Sequence, residues 1–173
     1  IGIVAAAVVA KKVLNTFFDI VFQTKLLEAG GSRDIEKAVL RAKESGDSIG
    51  ALVEIRISGV PAGWGEPFFD AAESVISHYI FAVPGVRGVE FGDGFSAVAM
   101  RGSQHNDPFI DLQGRTARNG AGGINGGITN GNDIVLRIAV KPTSSIASAQ
   151  HTLDFSCDEM VDLEIQGRHD ACI

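Results

Sequence analysis

The sequence predicts an α+β domain in which helices and mostly antiparallel strands form layers. Three stretches carry apolar residues at helical spacing, and several shorter stretches alternate between apolar and polar residues as half-buried strands do. Turns that contain Gly and Asp separate the strand patterns and favour hairpins. A length of 173 residues suits one domain with a sizeable core, and we expect residues 1–173 to form it.

Two of the predicted helices lie near the start of the chain. The first runs from Ile3 to about Phe22 and contains no Pro or Gly, and because it is apolar on all sides we expect it to be mostly buried. The second, Asp34–Glu44, is amphipathic and is stopped by Gly46. The stripe that it is expected to bury consists of Ile35, Val39, Leu40 and Ala42.

The third predicted helix opens at Glu66-Pro67, because proline suits the first turn of a helix, and it runs to about Phe81. Its expected buried residues are Phe69, Ala72, Val75, Ile76 and Tyr79.

Alternation of apolar and polar residues predicts the strands. They are Ala51–Ser58, a hairpin of Val86–Phe91 with Phe95–Met100 that turns at Asp93-Gly94, Asp133–Val140, and a second hairpin of Thr152–Cys157 with Glu159–Ile165.

The stretch Asn119–Gly131, NGAGGINGGITNG, is the one around which we expect the chain to be organised, because it holds six glycines. Such density is favourable where the backbone takes positive φ or lies against a neighbour that a Cβ would block. Successive exposed N–H groups there would suit an anion such as phosphate, and Lys141–Ser145 follows as a cation with three hydroxyls. The alternative interpretation is a surface loop that only turns a hairpin.

Composition restricts the partners. A net charge of -6 argues against nucleic acid or an anionic membrane as the main partner, so a phosphate site needs local cations. The candidates are Arg101, Arg115, Arg118, Lys141 and Arg168. The two cysteines, Cys157 and Cys172, make neither a disulfide framework nor a zinc site and indicate buried thiols in a reducing compartment.

The opening apolar run IGIVAAAVVA ends at Lys11-Lys12, well short of the ~20 residues that a membrane span needs. It does not resemble a signal peptide, because the charges follow the apolar run. We expect it to be a helix entered midway, and therefore the chain to be an internal piece of a longer protein.

Common catalytic motifs do not fit. Asn125 occupies the third glycine position of a dinucleotide fingerprint, and the sequence lacks a phosphate-binding P-loop, a zinc-protease HExxH and a hydrolase GxSxG. Without a Cys/His cluster we expect no metal. Among the histidines, His78 is expected in the core or an interface and His105 is ambiguous, whereas His169 lies between two charged residues and is the strongest candidate.

Six motifs in order closely resemble the central and C-terminal parts of the chorismate synthase family. They are SGVPAGWGEPFFD, GVRGVEFGDGF, RGSQHND, NGAGGINGGITNG, VKPTSSI and VDLEIQGRHDACI. The resemblance covers nearly all of the chain from about Gly46, and the Ala-rich run before Lys11-Lys12 is similar to the family's AAGAIAKK helix.

The resemblance implies a fold, a β-α-β sandwich with long core helices between antiparallel sheets. It implies a cytoplasmic homotetramer, or a plastid one in a plant, that takes reduced FMN, with NADPH as a candidate indirect reductant. The implied reaction is a 1,4-elimination of phosphate from 5-enolpyruvylshikimate 3-phosphate, a small-molecule substrate, giving chorismate. The implied flavin-contacting residues are Pro84, Gly85, Gly126, Lys141, Pro142, Thr143, Ser144, Ser145 and Arg168, and Asp170 matches an acid that tunes flavin protonation.

The sequence departs from the family pattern ahead of its first helix. The RSSARET motif, the two catalytic histidines and most substrate arginines belong upstream of the first helix in the family, so neither His78 nor His105 takes the place of those histidines. Two alternatives therefore accompany the enzyme. One is a flavin- or phosphate-binding core without turnover, and the other is an oligomerisation module built on the apolar helix.

Overall fold

The computed structural model describes residues 2–172, and these fall into two compact units. Unit 1 comprises 2–25, 54–84 and 88–138, and unit 2 comprises 26–53, 85–87 and 139–172. The helices are α1 Gly2–Phe18, α2 Ile35–Glu44, α3 Ala72–Phe81 and the short α4 Gly102–His105. The strands are β1 Val21–Ala29, β2 Ala51–Ser58, β3 Val86–Phe91, β4 Ile124–Asn125, β5 Ile128–Thr129, β6 Ile134–Val140, β7 Gln150–Asp154 and β8 Glu159–Leu163.

Three sheets are formed. A four-stranded sheet has the order β1-β2-β6-β3. The pairs β4–β5 and β7–β8 are antiparallel. The mixture of helices with antiparallel pairs confirms the predicted α+β class. That residues 1–173 form one domain stays a prediction, and Ile1 and Ile173 lie outside the described residues.

Helix α1 ends earlier than predicted. Asp19 takes a left-handed backbone conformation, with φ 55°, which stops the helix at Phe18. The next residue, Ile20, is 2 % exposed and leads directly into β1, so the prediction of helix through Phe22 is wrong. The expectation of a mostly buried helix is also wrong for this chain, since Val4 and Phe17 are 68% and 73% exposed. An all-apolar pattern indicates that a helix favours burial, but it does not show which surface buries it.

Helix α2 agrees with its prediction. The Asp34 carboxylate accepts the N–H of Lys37 at 3.3 Å and caps the first turn. Beyond the last turn, Gly46 has φ 67°. The buried stripe includes Ala42, but Leu40 is exposed and Ala38 is half-buried, so Leu40 was placed on the wrong side.

Helix α3 begins at Ala72, six residues after the predicted start at Glu66. The N–H of Glu66 binds the carbonyl of Asp70 in a tight turn, and the first free N–H of the helix, that of Ala72, binds the carbonyl of Gly127. Phe69 and Tyr79 are 92% and 70% exposed, contrary to prediction. The half-buried stripe runs one helical turn at a time through Ala72, Ile76 and Ile80.

Two hairpins were predicted around β3 and β7. Strand β3 has the predicted bounds, but its predicted partner is a 3₁₀ turn, Gly94–Ala99, because the Glu90 carboxylate accepts the N–H of Phe95 at 2.9 Å and turns the chain. The second hairpin is confirmed as β7–β8, with bounds that differ by a few residues.

The core of unit 1 is a cluster of Ile20, Val60, Ile124, Ile134 and Leu136, of which Leu136 is 1% exposed. Each such side chain contributes about 1.5–3 kcal/mol when fully buried. The cluster joins β6 to the glycine stretch through Ile124, so it fixes the position of that stretch within unit 1. Across residues 2–172, no helix combines the length and apolar character that a membrane crossing requires.

Candidate functional site

The second half of the glycine stretch is a hairpin in unit 1. Strands β4 and β5 pair Ile124 with Thr129 and Asn125 with Ile128, leaving Gly126-Gly127 as the two turn residues. Their φ values of 57° and 86° are both left-handed, the combination that a type I′ turn requires. This half of the stretch therefore turns a hairpin, but Ile124 and Thr129 are buried, so it is not a surface loop.

The first half makes the close backbone approach that glycine permits. A Cβ on Gly122 would clash with the backbone nitrogen of Gly92, next to the end of β3. The N–H of Asp93 binds the carbonyl of Gly120 at 2.8 Å. The neighbour that excludes a side chain at Gly122 is thus the protein's own backbone.

Asp107 holds the same half from the other side. Its side chain is 6% exposed, and its two carboxylate oxygens accept the N–H groups of Gly120 at 2.9 Å and Ala121 at 2.8 Å. Arg118 pairs with Asp93, and its Nε lies 3.8 Å from Oδ1 of Asp107. The backbone donors at Gly120 and Ala121 therefore already bind an anion, which is a side chain of this chain.

In unit 2 the segment Lys141–Ser145 follows β6 without regular structure and is held by its neighbours. The N–H of Lys141 donates to the carbonyl of Gly85 at 2.8 Å. The Ser48 hydroxyl donates to the carbonyl of Thr143, and just beyond the segment the N–H groups of 147 and 148 bind the carbonyl of Gly46 at 3.0 Å. The attachments at Lys141 and Thr143 use main-chain groups, which leaves those two side chains available.

A second segment, Arg168–Ala171, joins the first through His169. Nδ1 of His169 lies 3.0 Å from the carbonyl oxygen of Ser145 and 3.2 Å from its hydroxyl, and Nε2 lies 2.9 Å from the carbonyl oxygen of Ile165. At the other end, the N–H of Ile49 donates to the carbonyl of Ala171 at 2.8 Å. The two predicted cofactor segments are therefore brought together within unit 2.

The charged groups of these segments face solvent. Arg168 and Asp170 have side chains 89% and 67% exposed, and they contact each other at 3.3 Å. Lys141 and Ser144 are exposed as well. Two cations with an open hydroxyl form a donor set that suits an anionic group such as a phosphate or a flavin oxygen. Within residues 2–172 no cluster of His, Cys, Asp and Glu could hold a metal ion.

The predicted site residues are distributed over both units. Unit 2 holds Gly85, Lys141–Ser145, Arg168 and Asp170 together, whereas Pro84 and Gly126 belong to unit 1. Pro84 is covalently bonded to Gly85, but a joint site that includes Gly126 stays a prediction. Sequence reasoning missed the anchoring function of Asp107, whose only indication was its place in the RGSQHND motif. His169 was noticed for its charged neighbours, and not for the contact with Ser145 that it makes.

The other histidines have lesser contacts. His78 is exposed and stacks edge-to-face on Tyr79, with ring centroids 5.4 Å apart, so it does not lie in the core. Its expected place at an interface stays a prediction. His105 Nε2 lies 3.9 Å from a carboxylate oxygen of Asp93, beside the charged cluster of unit 1. Cys157 and Cys172 are both free, but Cys157 is exposed, contrary to the expectation of buried thiols.

Comparison with known proteins gives a consistent result. The sequence model of the family described as "Chorismate synthase" matches residues 1–173. The chain is 47% identical over 173 residues to chorismate synthase of Chitinophaga pinensis, covering 100% of this chain and 52% of that protein. It is 49% identical over 138 residues to chorismate synthase of Korarchaeum cryptofilum, covering 79% of this chain and 38% of that one.

A solved structure agrees. A chain described as "Crystal Structure of Chorismate Synthase" superposes with a TM-score of 0.72 at 26% identity, and the match covers 79% of this chain and 53% of the other. The chain thus spans about half the length of the Chitinophaga relative and of the superposed structure. The resemblance inferred from the six motifs is confirmed.

Proposed function

Since this chain belongs to the chorismate synthase family, we propose that its protein catalyses the elimination of phosphate from 5-enolpyruvylshikimate 3-phosphate to give chorismate. This is a lyase reaction of aromatic amino acid biosynthesis. The observation that carries the proposal is 47% identity to a chorismate synthase over all 173 residues. The same comparisons favour the enzyme over a core without turnover and over a purely structural module.

We propose reduced FMN as the cofactor, bound in part by unit 2. The donor set fits, because Lys141 and Arg168 are exposed cations on segments fixed by main-chain hydrogen bonds and by His169. When bound, the reduced flavin supplies the electronic activation for the elimination. Lys141 and Arg168 are proposed to bind anionic oxygens, and a planar guanidinium can do so with two donors.

Asp170 is proposed to act through Arg168 as well as on the flavin's protonation. Its carboxylate lies 3.3 Å from Nη2 of Arg168, which restricts the orientation of the guanidinium. Fixing a donor before the ligand arrives lowers the conformational cost of binding.

The test is an anaerobic assay of the purified chain with reduced FMN and 5-enolpyruvylshikimate 3-phosphate, followed by chromatographic detection of chorismate. Chorismate that forms only when both compounds are present supports the proposal. Flavin binding without formation of chorismate would favour the interpretation as a binding core without turnover. Absence of flavin binding at high concentration would favour the oligomerisation module. When the assay is repeated with Lys141→Ala, Lys37→Ala is its control, because Lys37 is an exposed lysine of the same unit, outside the proposed site.

We propose that the protein is a homotetramer of the cytoplasm. Support for assembly comes from α1, whose apolar side chains Ile3, Val4, Val9 and Phe17 are all more than half exposed in the single chain. Exposed apolar surface of this extent is typical of interfaces. Light scattering across micromolar concentrations should give a mass above that of one chain, and a clean monomer would contradict the proposal. Cell fractionation tests the compartment.

A further inference from the structure

His169 lies between Arg168 and Asp170, yet it contacts neither of the groups through which those residues are proposed to bind ligand. Its Nδ1 is directed at Ser145, 3.0 Å from the carbonyl oxygen and 3.2 Å from the hydroxyl. Its flanking residues are exposed and contact each other. The imidazole therefore faces the segment Lys141–Ser145 while its two neighbours face solvent.

The segment that His169 contacts needs such an attachment. Lys141–Ser145 has no helix or strand of its own, and a segment without regular structure loses much conformational entropy on ordering. It is fixed at Lys141 by Gly85 and at Thr143 by Ser48. Of the attachments described, the one at Ser145 comes from the segment that carries Arg168 and Asp170.

We propose that His169 is a positioning residue, which sets the distance between Lys141–Ser145 and Arg168–Asp170 and thereby the affinity for flavin. This inference rests on the proposed function. It also gives Ser145 a different function from that of a flavin ligand, because its carbonyl and hydroxyl oxygens both lie within hydrogen-bonding distance of Nδ1 of His169. Ser144, which is exposed, then supplies the hydroxyl that is open to a ligand.

The two nitrogens of His169 can be tested separately, because two amide side chains each imitate one of them. The amide nitrogen of asparagine is two bonds from Cβ, as Nδ1 is, and that of glutamine is three bonds from Cβ, as Nε2 is. His169→Asn therefore keeps an amide that can donate to or accept from Ser145 and loses the contact with Ile165, and His169→Gln does the reverse.

The measurement is an anaerobic titration with reduced FMN, made beside a thermal melt of each variant. We expect His169→Asn to bind FMN within about twofold of the parent, and His169→Gln to bind about five- to tenfold more weakly, the equivalent of one lost hydrogen bond. Both should melt near the parent. His151→Asn is the matched control, because His151 is an exposed histidine of the same unit that pairs with Asp162 on the β7–β8 hairpin.

Equal FMN affinity for the two variants, at the parental value or below it, overturns the positioning function through Ser145 while leaving flavin binding by the parent intact. A greater loss of FMN affinity in His169→Asn than in His169→Gln shows that the contact with Ile165 matters more, and it overturns the positioning function through Ser145. A loss of affinity that accompanies a lowered melting temperature also overturns it. A parent that does not bind FMN overturns the proposed cofactor itself, which separates the two failures.

Discussion

Replacing Asp107 tests whether the glycine stretch is held by a buried carboxylate. In the native protein each carboxylate oxygen of Asp107 accepts one backbone N–H, from Gly120 at 2.9 Å and from Ala121 at 2.8 Å. Gly120 is buried and Ala121 is half-buried, so after Asp107→Ala water can reach the second N–H more easily than the first. One unsatisfied buried donor costs about 1–3 kcal/mol, and the second adds less, so we expect a loss of about 2–4 kcal/mol in the free energy of unfolding.

The assay is urea unfolding followed by circular dichroism, with linear extrapolation to water. Asp107→Asn keeps one acceptor and should lie between the parent and Asp107→Ala. Asp162→Ala, at a side chain 76% exposed on the β7–β8 hairpin, is the control and should change stability by less than about 1 kcal/mol. If Asp107→Ala costs no more than the control, the carboxylate does not hold the glycine stretch and the reasoning is refuted.

Three further predictions concern the site, the turn and one carboxylate. Lys141→Ala should weaken the binding of reduced FMN by roughly 10- to 100-fold, through the loss of one charge-assisted contact, and Arg168→Ala by at least as much. Thermal melts should stay unchanged, because both side chains are exposed. Parental FMN affinity in both variants would refute the cation assignment. Gly126 has φ 57° with open space around it, so Gly126→Val should destabilise by about 1–2 kcal/mol and Gly126→Asn by clearly less, and equal melts would contradict this. The hydroxyl and N–H of Ser156 both donate to Asp154 and lower its pKa, so the stability from this group is present above the unfolded pKa and is lost as the pH falls through the folded pKa. Ser156→Ala should raise the pKa of Asp154 toward its ordinary value in a carboxyl NMR titration. An unchanged pKa would refute the hydroxyl as a cause.

Local patterns predicted the elements whose boundaries are set by local chemistry. Strand β2 has the predicted bounds. Helix α2 begins one residue after its predicted start, because Asp34 caps its first turn, and Gly46 follows its end. Strand β6 lies within one residue of its prediction, because the alternation of apolar and polar residues defines it locally.

The errors occur where a contact that the local pattern does not encode decides the structure. Helix α3 was expected to open at Pro67, but its first N–H binds the carbonyl of Gly127, which lies more than fifty residues further along the chain. The strand expected after Asp93 is instead a 3₁₀ turn, because Glu90 reaches forward to the N–H of Phe95. Neither hydrogen bond can be predicted from the alternation or the helical spacing of apolar residues.

The glycine stretch shows how one composition can support several physical causes at once. Gly126 serves a turn, Gly122 admits the backbone of Gly92, and a Cβ on Gly127 would lie 2.8 Å from that of Ala71. Each requirement comes from the fold of unit 1 and none requires a ligand, so the density of glycine cannot by itself support a cofactor site. The assignment of FMN must depend instead on the cations of unit 2 and on the His169 contact that holds their segments. It is there, and not at the glycines, that substitution should change flavin affinity without changing stability.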